Sequence, residues 1–181
     1  MKKLSDYLSE QLKMRASFFD WKIIVDSQKQ IIFIKLHVTA ENERGIYIQD
    51  EYGQISNDKI IHYEQAICFY NEELPLPDPK HYLFSYPINV HVGIEVGVVD
   101  AILKHLVLFA HEVALQLKEF INDGKSNIFL PHWNMVDFEN TIQTLKDLKH
   151  YCMERLAADF DYEPTSIEKL RGDMHGVVER I

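Results

Sequence analysis

The stretch VVDAILKHLVLFAHEVALQLKEFI, from Val98 to Ile121, carries the longest continuous helical pattern in the chain. Wound at about 100° per residue, it puts Ile102, Leu103, Leu106, Phe109, Ala110, Val113, Leu117, Phe120 and Ile121 on one broad apolar face. Asp100, Lys104, His111 and Lys118 form a polar stripe on the far side, and Leu108 and Leu115 lie beside that stripe, one heptad apart. Two leucines there call for a cover. Another segment of the same chain would supply it in a layered fold, the commoner arrangement, and a second copy would supply it if they belong to a larger apolar patch. Asn122-Asp123-Gly124 should stop the helix, since glycine takes the left-handed cap conformation at little steric cost.

Upstream of this helix the period changes from 3.6 to two. Ile88, Val90, Val92, Ile94 and Val96 alternate with Asn89, His91, Gly93, Glu95 and Gly97, which predicts a strand over 88–94, pairing at a sheet edge and running into a helix that starts between Glu95 and Val98. Before it, the prolines of Asn71 to Pro79 remove donors and push their predecessors to extended conformations, so 71–80 reads as a connector. Without a P-x-x-P pair it is a weak recognition sequence. Earlier still, Trp21 to Asp26 and Ile31 to Val38 are rich in β-branched and aromatic residues around the polar run Ser27 to Gln30, the pattern of a hairpin. Ile32, Ile34, Leu36 and Val38 share one face of its second strand, with Lys35 and His37 on the other. Further strands are expected at Ile46 to Glu51 and Ile60 to Tyr70. A first helix carries Leu4, Tyr7, Leu8, Leu12, Phe18 and Phe19 at helical spacing.

Downstream, Asn127 to Met135 is an aromatic connection. Phe138, Ile142, Leu145, Leu148, Cys152, Leu156 and Phe160 then predict a second long helix, with Asp137 as its N-cap and Pro164 as its stop. Thr165 and Glu168 have capping-box spacing for a short last helix. The order implies a single α+β domain over 1–181: an antiparallel meander of about five strands, packed mainly on one face by helices, with C-terminal helices over 137–181.

With 181 residues and 46% hydrophobic content the chain can bury one core, which argues against disorder. A net charge of -9 disfavours sequence-independent nucleic-acid binding, because that rests on phosphate neutralisation by Lys and Arg. Lys2 and Lys3 could open a signal peptide, but Ser5, Asp6, Ser9 and Glu10 interrupt any apolar region, and no run approaches membrane-spanning length. Cys68 and Cys152 are too far apart in sequence to suggest a zinc knuckle or redox pair, which favours a reducing cytoplasm. Low glycine with abundant Ile, Lys and Asn is a bacterial type of composition.

Candidate chemistry is sparse. His105, His111 and Glu112 form the best metal candidate, yet a helical pair wants ligands one turn apart, and His105 and His111 differ by six residues. Solvated or core-edge histidines are the plainer reading. The alternating acids of Asp159 to Glu163 open like a calcium loop whose remaining positions are wrong, and Arg171-Gly172-Asp173 is a chance tripeptide in a chain with no secretion signal. There is no G-x-S-x-G elbow, no activated cysteine context and no G-x-G-x-x-G or P-loop, so no cofactor is expected. His132 and Trp133, beside Pro131, could line a pocket between helices and sheet, although bulky residues in a short connection usually plug a core. No motif identifies a characterised enzyme or binding module. The first expectation is a non-catalytic protein that self-associates through Leu108 and Leu115 or binds a protein partner, without nucleic acid or membrane. The alternative is a small-ligand binder or metal-dependent enzyme with its pocket at the His132-Trp133 loop.

Overall fold

The structure, a computed structural model, describes residues 1–123 and 127–161. In chain order its elements are α1 (Leu4–Arg15), β1 (Asp20–Asp26), β2 (Ile31–Glu41), β3 (Ile48–Gln49), β4 (Ile55–Ser56), β5 (Ile60–Asn71), β6 (Phe84–Ile88), β7 (Ile94–Glu95), α2 (Val96–Asp123), α3 (Met135–Asp147) and β8 (Arg155–Leu156). The architecture is α+β, with the long α2 packed on a mostly antiparallel sheet. Among the described residues no helix is long and apolar enough to cross a membrane.

Branched and aromatic side chains make β1, β2 and β5 good strands, and their register aligns the apolar sets. Ile23 faces Ile34 and Ile34 faces Ile67, so one face of the sheet is continuous hydrocarbon. Ile32, Ile34, Leu36 and Val38 are buried, as their alternation requires. α2 lies on that face and buries Ile102, Leu103, Leu106, Phe109, Ala110 and Val113 in the same core. Each fully buried leucine there contributes about 1.5–3 kcal/mol relative to exposure. At its far end α2 is tied down by Arg44, whose guanidinium donates to the Asn122 carbonyl at 2.6 Å, the polarity a helix C-terminus favours.

The main sheet has the order β1-β2-β5-β6, with β6 parallel to β5 at the edge. The expected strand over 88–94 is therefore divided. Ile88 closes β6, and Asn89 to Gly93 then make a turn in which Gly93 N–H donates to the Asn89 carbonyl at 2.7 Å. The Asn89 side chain accepts from the backbone N–H groups of His91 and Val92. Ile88, Ile94 and Val96 of the alternating set are buried while Val92 is exposed at the turn, because the alternation does not register this local competition for backbone bonds. Likewise, the expected strand at 46–51 shrinks to β3, paired only with β4 outside the main sheet. Asn42 is the cause: its side chain donates to the Ile46 and Asp58 carbonyls and accepts from Ile46 N–H, bending the chain away. Phe18 and Phe19 lie beyond α1, which ends at Arg15.

The largest departure is at the C-terminal side. α3 ends at Asp147, Lys149 takes a left-handed φ of 57°, and Cys152, Leu156 and Phe160 lie outside any helix. Its N-cap is Asn134, which accepts from Asp137 N–H at 3.2 Å; Asp137, expected to be the cap, instead accepts from the Asn134 amide. The segment after α3 runs between the starts of α1 and α2 and supplies acceptors to both. Val96 and Gly97 N–H donate to the carbonyls of Glu154 and Cys152, each at 2.8 Å, and Leu4 N–H donates to Ala157 at 3.0 Å. α1 has no side-chain cap of its own. Asp159 provides one from 154 residues away, accepting from Ser5 N–H at 3.1 Å and from the Ser5 hydroxyl. First-turn donors that lack intrahelical partners thus outweigh the helical periodicity of 148–160. The proposed Gly124 cap, the Pro164 stop, the Thr165-Glu168 helix, Arg171-Gly172-Asp173 and the end of the Asp159-Glu163 run lie outside the described residues.

Candidate functional site

α2, α3 and the connection before α3 enclose a surface groove of about 480 Å³. Asn134 caps α3 beside α2 residues His105 to Gln116, so the groove has a helix on each side. Phe109 and Val113 form apolar lining, Leu108 and Leu130 add exposed hydrocarbon, and Glu112, Asp137, His105 and His132 supply its titratable groups.

Trp133 is the anchor beneath this groove. It is buried, stacked on Phe84 with ring centroids 4.8 Å apart, and lies against Phe138 and Phe109. His105 meets it edge-on at 4.3 Å. These rings explain why α3 docks where it does: one indole joins β6, α2 and α3 in a single aromatic cluster. The indole N–H, however, is buried without a partner, a deficit of about 1–3 kcal/mol. His105 is buried too, and its ring lies against Trp133 and Phe138. Burial lowers its pKa from the ordinary 6.5, against the opposing pull of the Asp137 and Glu112 carboxylates, so the ring is neutral at pH 7.

The residues singled out by sequence are placed as follows. Leu108 and Leu115 are 51% and 60% exposed, and Leu108 lines the groove whereas Leu115 lies two turns further along α2. His132 is exposed at the groove, and Trp133 is underneath it. His105 and Glu112 share the groove, but His111 stacks on Phe18 with centroids 3.4 Å apart and does not line it. Among the described residues no group of three or more His, Cys, Asp or Glu side chains is arranged to hold a metal ion. Cys68 is buried in β5, and burial pushes its thiol up to about 12, the reverse of nucleophile activation. A more open hollow of about 560 Å³ lies over the 151–157 segment; of its polar side chains Tyr7 is paired with Asp100, Arg155 with Glu95 and Lys2 with Glu10.

Sequence reasoning missed Leu130 and Asp137 as groove residues and missed the pairing of His37 with His62 across β2 and β5. Alternation located His37 on the sheet's outer face; only the strand register brings His62 to it.

Residues 1–155 match the family model described as "Protein of unknown function (DUF3013)". The chain belongs to this family. The match runs from α1 to the first residue of β8, so it includes the whole groove. A solved structure, "Crystal Structure of Conserved Protein of Unknown Function from Enterococcus faecalis", is similar with a TM-score of 0.77 and 24% identity, covering 87% of this chain and 95% of that one. That likeness shows the fold. No curated protein matches the chain.

Proposed function

We propose that this DUF3013 protein is non-catalytic and works by association, as a homodimer formed through the α2 face that carries Leu108 and Leu115. One observation carries the reading: two leucines a heptad apart are more than half exposed on a helix that buries its other apolar side, and the first of them opens into a groove lined by Leu130, itself 79% exposed. Exposed hydrocarbon clustered in this way is characteristic of an interaction surface. A symmetric interface is self-complementary, so one helix face meeting its own copy is the simplest closed arrangement. The reading places a single-domain protein in a bacterial cytoplasm, with no nucleic-acid or membrane partner. Its support is the acidic charge, the two free cysteines and the likeness to the Enterococcus faecalis structure.

The test is native mass spectrometry and sedimentation of the full chain. Leu108→Glu with Leu115→Glu should convert dimer to monomer while the circular dichroism spectrum and melting temperature stay within the change expected of surface substitutions, about 0.5 kcal/mol. A wild-type monomer, or an unchanged dimer in the double variant, would sink the homodimer.

A second reading, a small-ligand or enzyme pocket in the same groove, is favoured by the neutral His105, with its aromatic contacts, and the unpartnered Trp133 N–H below it. A ligand that raises the wild-type melting temperature but leaves His105→Ala and His132→Ala unmoved would argue against that pocket.

A further inference from the structure

The exposed stripe of α2 carries its charges on two separate flanks. Measured around the helix from Leu108, at about 100° per residue, Leu115 lies at about −20°, so the two leucines mark one line. Glu119, Glu112 and Asp123 fall at about +20°, +40° and +60°, and Lys104, His111 and Lys118 at about −40°, −60° and −80°. All of these side chains are exposed. Two contacts fix the flanks independently. Glu112 lines the groove towards α3, as does Asp137, whereas His111 stacks on Phe18, on the side of α1. The acidic flank holds no Lys or Arg of α2, and the one acid on the basic flank, Asp100, is taken up by Tyr7 and Arg15. Lys104, Glu112, Lys118 and Glu119 form no ion pair among the described residues.

This segregation distinguishes the ways in which two copies can meet. Face to face through the leucine line, they are related by a two-fold axis that runs either across α2 or along it. An axis across the helices makes them antiparallel and lays each flank on its own counterpart, acid on acid and base on base. An axis along the helices makes them parallel and lays the acidic flank of each copy on the basic flank of the other. Like charges pressed together penalise the first arrangement, and opposite charges favour the second.

We propose that a second copy of this chain docks on α2 in parallel, Leu108 against Leu108 and Leu115 against Leu115, with Lys118 of each copy beside Glu119 of the other. His111 and Glu112 make the corresponding pair one heptad earlier. The proposal rests on the homodimer reading and adds its direction and register. With the axis along the helix, equal positions meet at equal heights. Lys118 and Glu119 then differ by about 1.5 Å of rise, well inside the reach of a lysine side chain. The leucines, about 10.5 Å apart along the helix, supply the apolar contact. Exposed ion pairs add little affinity, and their part here is to select one orientation over the other.

The experiment joins two copies at chosen positions. In the full chain, Leu108→Cys should form a disulfide with itself under mild oxidation, as should Leu115→Cys, with the linked positions read by peptide mass spectrometry. A mixture of the two variants should give like links far in excess of the 108–115 link. Lys118→Glu and Glu119→Lys should each weaken the dimer about tenfold in sedimentation, because each puts two like-charge contacts into the interface. The Lys118→Glu/Glu119→Lys double variant, with the charges exchanged, should recover the affinity. A dimer with predominant 108–115 links, or a double variant no tighter than the single ones, would overturn the parallel arrangement and leave the homodimer standing. A monomeric wild type would overturn both. In that monomer, protection of the Leu108→Cys thiol from a maleimide would place a segment of the same chain over the leucines.

Discussion

α2 begins and continues in two different environments. At its start nearly every polar group is matched: Val96 and Gly97 donate to backbone carbonyls of the 151–157 segment, Glu95 accepts from Tyr151 and Arg155, and Asp100 accepts from Tyr7 and Arg15, each at 2.9 Å. Two turns later, at the groove, the Trp133 N–H is buried without a partner, the His105 ring lies against Trp133 and Phe138, and Leu108 is half exposed. Matched groups hold elements in place and leave nothing for a ligand or partner to satisfy. Unmatched ones carry a cost that the fold itself does not relieve, so something else can. The first region is the structural clasp and the second is the candidate surface.

Substitutions should separate the two regions, beginning with the clasp. Gly93 has φ +79°, and a Cβ there would sit 2.1 Å from the Leu156 carbonyl oxygen. Gly93→Ala should therefore lower stability by about 3 kcal/mol or more, since backbone strain and overpacking act together, and should be visible as a shifted denaturant midpoint. A midpoint within error of wild type would mean that the clasp is not the anchor described.

Asp159→Ala should cost about 1–3 kcal/mol, because the Ser5 N–H and hydroxyl at the start of α1 lose their acceptor. Amide exchange in the first turn of α1 should rise with it. If exchange rises equally across α2, the two helix starts form one cooperative unit.

At the groove the opposing effects nearly cancel. Trp133→Phe removes the unpaired N–H while keeping an aromatic ring against Phe84 and Phe138, so the loss of volume and the relief of a buried donor offset each other to within about 1 kcal/mol. A loss as large as that of Gly93→Ala would show that the indole nitrogen is satisfied after all, and the contrast between the regions would fail.

The smallest effect is with pH. The folded pKa of His105 lies below its ordinary 6.5, so below that value the unfolded chain binds the proton that the folded chain refuses. Stability should fall as pH drops from 6.5 towards the folded pKa and should not change further on this account below it. His62 shifts in the same direction and adds to the slope. His105→Phe should remove the groove's share, measured as a shallower stability profile between neutral and mildly acidic pH.

These two regions were not equally legible. Leu108 and Leu115 could be placed on the open side of α2 from spacing alone, and Trp133 and His132 stood out as bulky residues in a short connection. That Leu108 and His132 line one groove depends on how α3 docks. The clasp was invisible: Cys152, Leu156 and Phe160 continue the spacing of Phe138, Ile142 and Leu145, and nothing local distinguishes a helix from an extended segment whose buried positions fall at the same interval.

From its sequence alone the chain determined which stretches are amphipathic and at what period: α2 from Val98 onward, the β1-β2 hairpin, β5 and the buried face of β2. Those follow from side-chain volume and polarity repeating at 3.6 or two residues, a property of neighbours along the chain. Only the tertiary structure decided where α3 stops, that β6 joins β5 in parallel, that Asp159 caps α1, and that His37 meets His62. Each of those depends on a donor finding an acceptor tens of residues away, and hydrogen bonds of that kind leave no period in the sequence to read.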